Sequence, residues 1–404
     1  MSNNQSPIKN TIIHGAGQVI NLLAPFLVAF FVIPLCGVDK WGIVGVVTSI
    51  YMLLGLLIEF GANLVGVKEL SAHRANPRYI ENYIGLNYKY RLICCIFLTL
   101  LLVIIFLILK VDPTYYWGLT WIVAWYYNPI WIFQAREAFP TINKIIFWSK
   151  LIYVISIYLF IKNANDYVYV VGILGFSNSL IYAWFYFRIS KNKRLSSKRL
   201  IVFIKQNQAI VVSNFAISCY TQAPVFIIDA VLGNTVTGIF KIIDLFLVAF
   251  RSYLGVFFNV TYPNFCYLMA NRFKKAQSYA LKATSLNICF LAIAALFIIL
   301  FTPYITTHFQ FSSEIKEGLR LSSYLLFLPI IIALNIPFYQ ALLYKGRHKQ
   351  ILKISLAAVG ITLILGVFLT KSLGFKGMII ALYLTEIFVT TSMWFRGKKE
   401  LSII

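Results

Sequence analysis

An all-helical integral membrane protein of about twelve transmembrane helices is the architecture this sequence predicts. Three observations carry that prediction: composition, the spacing of apolar runs, and the sidedness of the basic residues. Of the 404 residues, 60% are hydrophobic, 17% aromatic and only 12% charged, against about 25% charged in soluble domains. Apolar windows of about 20 residues, long enough to cross a hydrocarbon core as a helix, begin near residues 11, 42, 91, 115, 145, 167, 208, 238, 284, 322, 352 and 376. The turns between them are short and leave no room for a sizeable soluble domain. The first run, about Asn10 to Leu35, is too long for a signal-peptide core and reads as a retained span.

Sidedness follows from the turns. With the N-terminus in the cytoplasm, the cytoplasmic turns hold Lys68, Arg74, Arg78, Lys89 and Arg91, then Arg136 and Lys144, then the run from Arg188 to Lys205. They continue with Arg272 to Lys282, Lys345 to Lys353, and Arg396 to Lys399. The opposite side keeps Lys40, Lys110, Lys162, Lys316, Arg320, Lys371 and Lys376. This bias puts both termini in the cytoplasm and requires an even number of spans. It also accounts for the formal charge of +23 without a nucleic-acid partner. The six cysteines have no paired spacing and the four histidines are scattered, so no disulfide, metal or cofactor is expected.

The basic loop "FRISKNKRLSSKRLIVFIK" divides the chain into an N-terminal six-helix lobe (1–190), a linker (191–206) and a C-terminal six-helix lobe (207–404). The halves echo each other. "LCGVDKWGI" (Gly37, Gly42) matches "VLGNTVTGI" (Gly233, Gly238), each in the turn after the first span of its half. "FQA" at 133–135 matches "YQA" at 339–341, each preceded by a proline (Pro129, Pro337). An even number of spans per half implies a parallel repeat about an axis along the membrane normal, with substrate expected between the halves.

Ionisable groups inside spans mark candidate sites, because lipid penalises them. Lys241, Asp244 and Arg251 in "FKIIDLFLVAFRSYL" share an arc of roughly 80° on the eighth span. They form either an internal ion pair or a surface that touches substrate or coupling ion. Glu59 in the second span is a candidate proton acceptor or an ion-pair partner. Asp229 is a weaker coupling candidate, and both it and Glu386 are expected nearer the span ends, in structural or solvated roles. Lys150 in the fifth span and Arg91 at the mouth of the third add positive charge, and a net cationic path suits a phosphate or pyrophosphate. Trp121 and Trp125, one helical turn apart between two aromatic belts, could stack on sugar or simply pack.

Two motifs then carry a resemblance. "NPIWIFQARE" (128–137) resembles the N-P-x-W-x-F-Q-G-x-E signature of the O-antigen flippases, the lipid-linked oligosaccharide transporters. "IEFGANLVGVKELSAHRANPRYIEN" (58–82) is similar to that family's acidic-F-G-x-N-L stretch and the basic loop after it. The likeness is specific over about residues 8–140 and general beyond. It implies roles for Glu59, Phe60, Gly61, Asn63 and Leu64, and for Pro129, Trp131, Phe133, Gln134 and Glu137; Ala135 stands where the family has glycine, so a less bent turn is expected. The resemblance also implies a V-shaped multidrug-exporter-type fold of two six-helix bundles in the bacterial inner membrane. The implied activity is alternating-access transfer of undecaprenyl-pyrophosphate-linked oligosaccharide to the periplasmic leaflet, with ion-gradient coupling left open. A polysaccharide polymerase and a chain-length regulator are the implied partners beyond membrane lipid. Gln134, Arg136 and Glu137 are expected either to help close a cytoplasmic gate or to cap a polar loop. The alternatives are a multidrug or cation exporter, which would favour an acidic cavity, and a polymerase or ligase, which would need a larger periplasmic loop than the chain offers.

Overall fold

The structure, a computed structural model, describes residues 7–189, 198–308 and 313–402. Part of the expected linker, 191–197, lies outside the described residues; 198–206, expected to complete it, is instead the first turns of a long helix. The chain forms two compact units, Met1–Phe215 and Ala216–Ile404, so the division falls inside that helix.

Unit 1 contains α1 (Pro7–Cys36), α2 (Val38–Glu59), a π-helical turn (Ala62–Gly66), α3 (Val67–Ala72), α4 (Pro77–Leu109), α5 (Pro113–Trp117), α6 (Leu119–Tyr127), α7 (Ile130–Ala135), α8 (Phe139–Phe160), a 3-10 turn (Ala164–Tyr169) and α9 (Val170–Ile189). It closes with the first half of α10 (Lys198–Leu232). Unit 2 takes the rest of α10, then α11 (Asn234–Asn271), α12 (Phe273–His308), α13 (Ser313–Ser322), α14 (Leu328–Tyr344), α15 (His348–Leu373) and α16 (Phe375–Ser402). Among the described residues ten helices are long and apolar enough to cross a membrane. The 38-residue α11 and the broken run α5–α7 complete a twelve-span plan.

Lipid, not water, is the outer solvent, and α4 shows the consequence. From Leu92 onward its exposed residues are large and apolar, including Ile93, Phe97, Leu100, Ile104 and Ile108. Its buried stripe, Asn87, Tyr88, Arg91, Cys95, Leu98 and Leu102, repeats at helical spacing and holds the polar groups. In lipid every polar group must find its partner inside the protein, so the polar stripe turns inward.

The glycine echo has a backbone cause. Gly37 (φ 95°, ψ 154°) and Gly233 (φ 82°, ψ 176°) precede α2 and α11 in nearly the same left-handed-φ, extended conformation. A Cβ is strained there, so the repeat preserves a turn only glycine makes cheaply. The fourth span is broken in unit 1 alone, since α14 of unit 2 runs through Pro337. Pro129 cannot donate to the carbonyl of Trp125, four residues back, so α6 stops at Tyr127 and α7 restarts at Ile130, whose N–H is capped by Asn128 Oδ1 at 3.1 Å.

Candidate functional site

Unit 1 builds its site around two interruptions. At the end of α2, Phe60 (φ 49°) and Gly61 (φ 71°) both take the left-handed conformation, and the π-helical turn follows. A phenylalanine in that conformation is held by its packing, with ring centroids 4.1 Å from Tyr90 and 5.8 Å from Phe203. Glu59, 5% exposed, accepts a hydrogen bond from the Asn63 N–H at 3.0 Å and so caps the turn. Beside it lies a small cavity of about 80 Å³, lined by Leu56, Glu59, Gly61, Asn63, Leu64, Val211 and Asn214. One carboxylate and two amides therefore face a space of a few water molecules.

The second interruption explains Arg91. Its side chain is completely buried, and Nη1 donates to the carbonyls of Trp125 (3.2 Å), Tyr126 (3.5 Å) and Asn128 (2.8 Å). These are the acceptors released by the Pro129 break. The guanidinium also lies 5.1 Å from the Tyr88 ring and 5.8 Å from the Trp131 ring. Arg91, expected at the mouth of a span, is thus a deep clamp on the broken fourth span. Trp125 packs its indole so close to Gly55 that no Cβ would fit there, and Trp131 does the same at Gly66. Trp121 is partly buried, its backbone pressed against Gly175.

Lys150 stands differently. It is eleven residues into the 22-residue α8, partly buried, and among the described residues no carboxylate or acceptor lies within bonding distance of its Nζ. Gly17 faces Asn143 and the Phe31 ring lies 5.2 Å from that of Tyr158, so the register of α1 on α8 sets residues 23 and 24 at its level.

At the end of α7, Glu137 (φ 55°) pairs with Arg74 at 2.6 Å, and Arg74 also reaches the Ala135 carbonyl at 3.0 Å, which Ser71 shares at 3.2 Å. Two hairpins of one unit are thereby tied together. Arg136 is exposed and Gln134 partly exposed. Ala135 does not carry the bend: the left-handed residue is Glu137, while the Ala135 methyl is buried against Leu70, Ile84 and Trp131.

In unit 2 the ionic face of α11 is internal. Asp244 takes Lys241 at 2.8 Å and Arg251 at 3.7 Å; Lys241 and Asp244 are nearly buried, while the Arg251 side chain keeps 24% of its surface. Asp229 sits by the Gly233 turn and accepts from Thr237 at 3.4 Å. Glu386, expected near a span end, is instead about midway along α16 and 4% exposed. Sequence reading also missed Arg74 as partner of Glu137, and Asn214 as a cavity neighbour of Glu59, because both depend on contacts between distant helices.

Residues 8–269 match the family described as "Polysaccharide biosynthesis protein". The chain belongs to that family. It is 24% identical over 405 residues to a protein of Shigella dysenteriae named as an O-antigen transporter, covering 95% of this chain and 96% of the relative. It is 23% identical over 407 residues to one of Escherichia coli K12 named likewise, covering 97% of each. Among solved structures, an inward-facing multidrug-resistance transporter of the MATE family and MOP superfamily superimposes with a TM-score of 0.72 at 14% identity, over 97% of this chain and 98% of that one. A MOP-superfamily transporter from Pyrococcus furiosus gives 0.61 at 13% identity, over 98% and 95%. The family member described here is a multi-pass membrane protein with the fold of the MOP-superfamily transporters.

Proposed function

We propose that this transporter flips a polyprenyl-pyrophosphate-linked oligosaccharide from the cytoplasmic to the periplasmic leaflet of the bacterial inner membrane, with both termini in the cytoplasm. The observation that carries the reading is Lys150. A lysine at mid-membrane depth that has no counter-charge among the described residues of its own unit is expensive unless something anionic arrives, and a pyrophosphate is the anion that lipid-linked sugars bring. In unit 2, Arg251 is the cation that keeps part of its surface, 24%, while Lys241 neutralises Asp244. The names of the curated relatives point to the same substrate class. Glu59, in its small polar cavity, is the carboxylate of unit 1 placed to exchange a proton or ion during the cycle, and the Arg74–Glu137 tie keeps two cytoplasmic hairpins of that unit moving as one.

The test is gene deletion followed by complementation. In spheroplasts of the deletion strain, lipid-linked repeat units should resist a membrane-impermeant glycosidase; the intact gene should restore access, and Lys150→Ala should not, at equal protein level. Repeat units that reach the outer face in the deletion strain would sink the flippase reading, and full rescue by Lys150→Ala would remove Lys150 from the site.

A further inference from the structure

Unit 2 holds a carboxyl that the ionic face of α11 does not neutralise. Glu386 is 4% exposed at mid-depth in α16, and among the described residues it has neither a hydrogen-bond donor nor a cation within ion-pair distance. Its neighbour Thr385 gives its hydroxyl proton to the Ala381 carbonyl and takes one from Thr362 of α15. The titratable groups facing Glu386 are Arg251 from α11 and Tyr220 from α10, whose hydroxyl lies in the same field as Tyr339 from α14. The lysines of α15, Lys349, Lys353 and Lys371, are exposed.

Arg251 is therefore shared. In this structure it stands 3.7 Å from Asp244, which already has Lys241 at 2.8 Å. Two cations on one carboxylate leave one of them free to move without stranding a buried charge. We propose that Glu386 is a proton-carrying carboxyl and that Arg251 exchanges between Asp244 and Glu386 as the proton binds and leaves. With the proton on Glu386, Arg251 rests beside Asp244. Loss of the proton to water creates a second carboxylate, which draws the guanidinium away while Lys241 continues to neutralise Asp244. The quartet then carries one positive charge when protonated and none when deprotonated, so the proton entering Glu386 sets how much positive charge Arg251 can present to an anionic substrate. This deepens the proposed function and rests on transport being coupled to protons, but its test needs no substrate.

The purified full-length protein, reconstituted in lipid, is stepped in pH while infrared difference spectra record the carboxylic C=O stretch, with glutamate carboxyls carbon-13 labelled to separate them from aspartate. One glutamate component of the band is expected to vanish in Glu386→Gln. At a fixed pH that component should grow in Arg251→Gln, which removes the cation, and shrink in Asp244→Asn, which releases Arg251 towards Glu386. A Glu386→Gln spectrum that superimposes on wild type would overturn the proposal. If that variant does not fold, a labelled band of the intact protein unchanged by Arg251→Gln would overturn it equally. Should the band behave as expected while lipid-linked oligosaccharide is not moved, the proton switch stands and the substrate reading fails.

Discussion

In unit 1 the second span breaks at Glu59, whereas its counterpart in unit 2, α11, runs unbroken for 38 residues. The preceding glycine turns are nearly superimposable in φ and ψ, so the two spans start alike and diverge only afterwards. The difference lies in where each unit puts its polar groups. Unit 1 opens its backbone, at Phe60–Gly61 and at Asn128–Pro129, and meets the exposed backbone groups with the side chains of Glu59 and Arg91. Unit 2 keeps its backbone closed in α11 and sets charges against each other on one helical face. In lipid both devices answer the same requirement, that no buried polar group be left unpaired, but they fail differently when one member is removed.

Removing the guanidinium is expected to break unit 1 most. Arg91→Ala strands the carbonyls of Trp125 and Tyr126 and leaves that of Asn128 only the Tyr88 hydroxyl at 3.3 Å, at about 1–3 kcal/mol for each group left unsatisfied, and should lower both membrane abundance and the thermal transition of the purified protein; Arg91→Lys, with one point of charge in place of a fork, should not restore either. A protein level unchanged by Arg91→Ala would remove the clamp from the comparison. In unit 2 the matching change, Lys241→Met, should cost less than the roughly 3–5 kcal/mol of an ordinary broken buried pair, because Arg251 remains to neutralise Asp244. Denaturation of the two variants side by side ranks them.

The broken and unbroken spans can be set against each other through glycine. Gly61→Ala forces a Cβ into the left-handed conformation and should destabilise by about 1–2 kcal/mol. Gly255→Ala, in the middle of α11 with nothing within 4 Å of the added methyl, should stabilise by about 0.5–1 kcal/mol. Effects of equal sign would mean that the break in unit 1 is not held by its backbone conformation.

The smallest effect concerns Asp112, in the turn between α4 and α5. Burial raises its carboxyl, but hydrogen bonds from the Thr114 hydroxyl, Tyr167 and the Thr114 N–H, together with the Lys40 charge, outweigh that and hold it below the usual carboxylate range. Because the folded value is the lower one, its contribution to stability is present above the unfolded value and lost as pH falls through the folded one. The acid limb of a pH-stability curve should flatten slightly in Asp112→Asn.

Much of this could be read along the chain. The twelve-span plan, the glycine echo and the crowded polar groups at 128–137 follow from periodicity, residue size and proline chemistry, which are local or nearly so. The Lys241–Asp244 pair was legible for the same reason, since three residues on a helix fix the distance between side chains. Arg91 was not. Its position next to a basic turn places it at a membrane surface, yet the acceptors that claim it are created by a proline thirty-eight residues further on. Glu386 was misplaced because nothing in "ALYLTEIFVT" states which helices pack around its middle. The sequence by itself determined that this chain crosses the membrane about twelve times in two related halves, because hydropathy and turn chemistry act over one helix at a time. Which charges are spent on the backbone, which are paired and which, like Lys150 and Glu386, have no partner among the described residues was decided only by the tertiary structure, because pairing is a property of distance between helices and not of position along one.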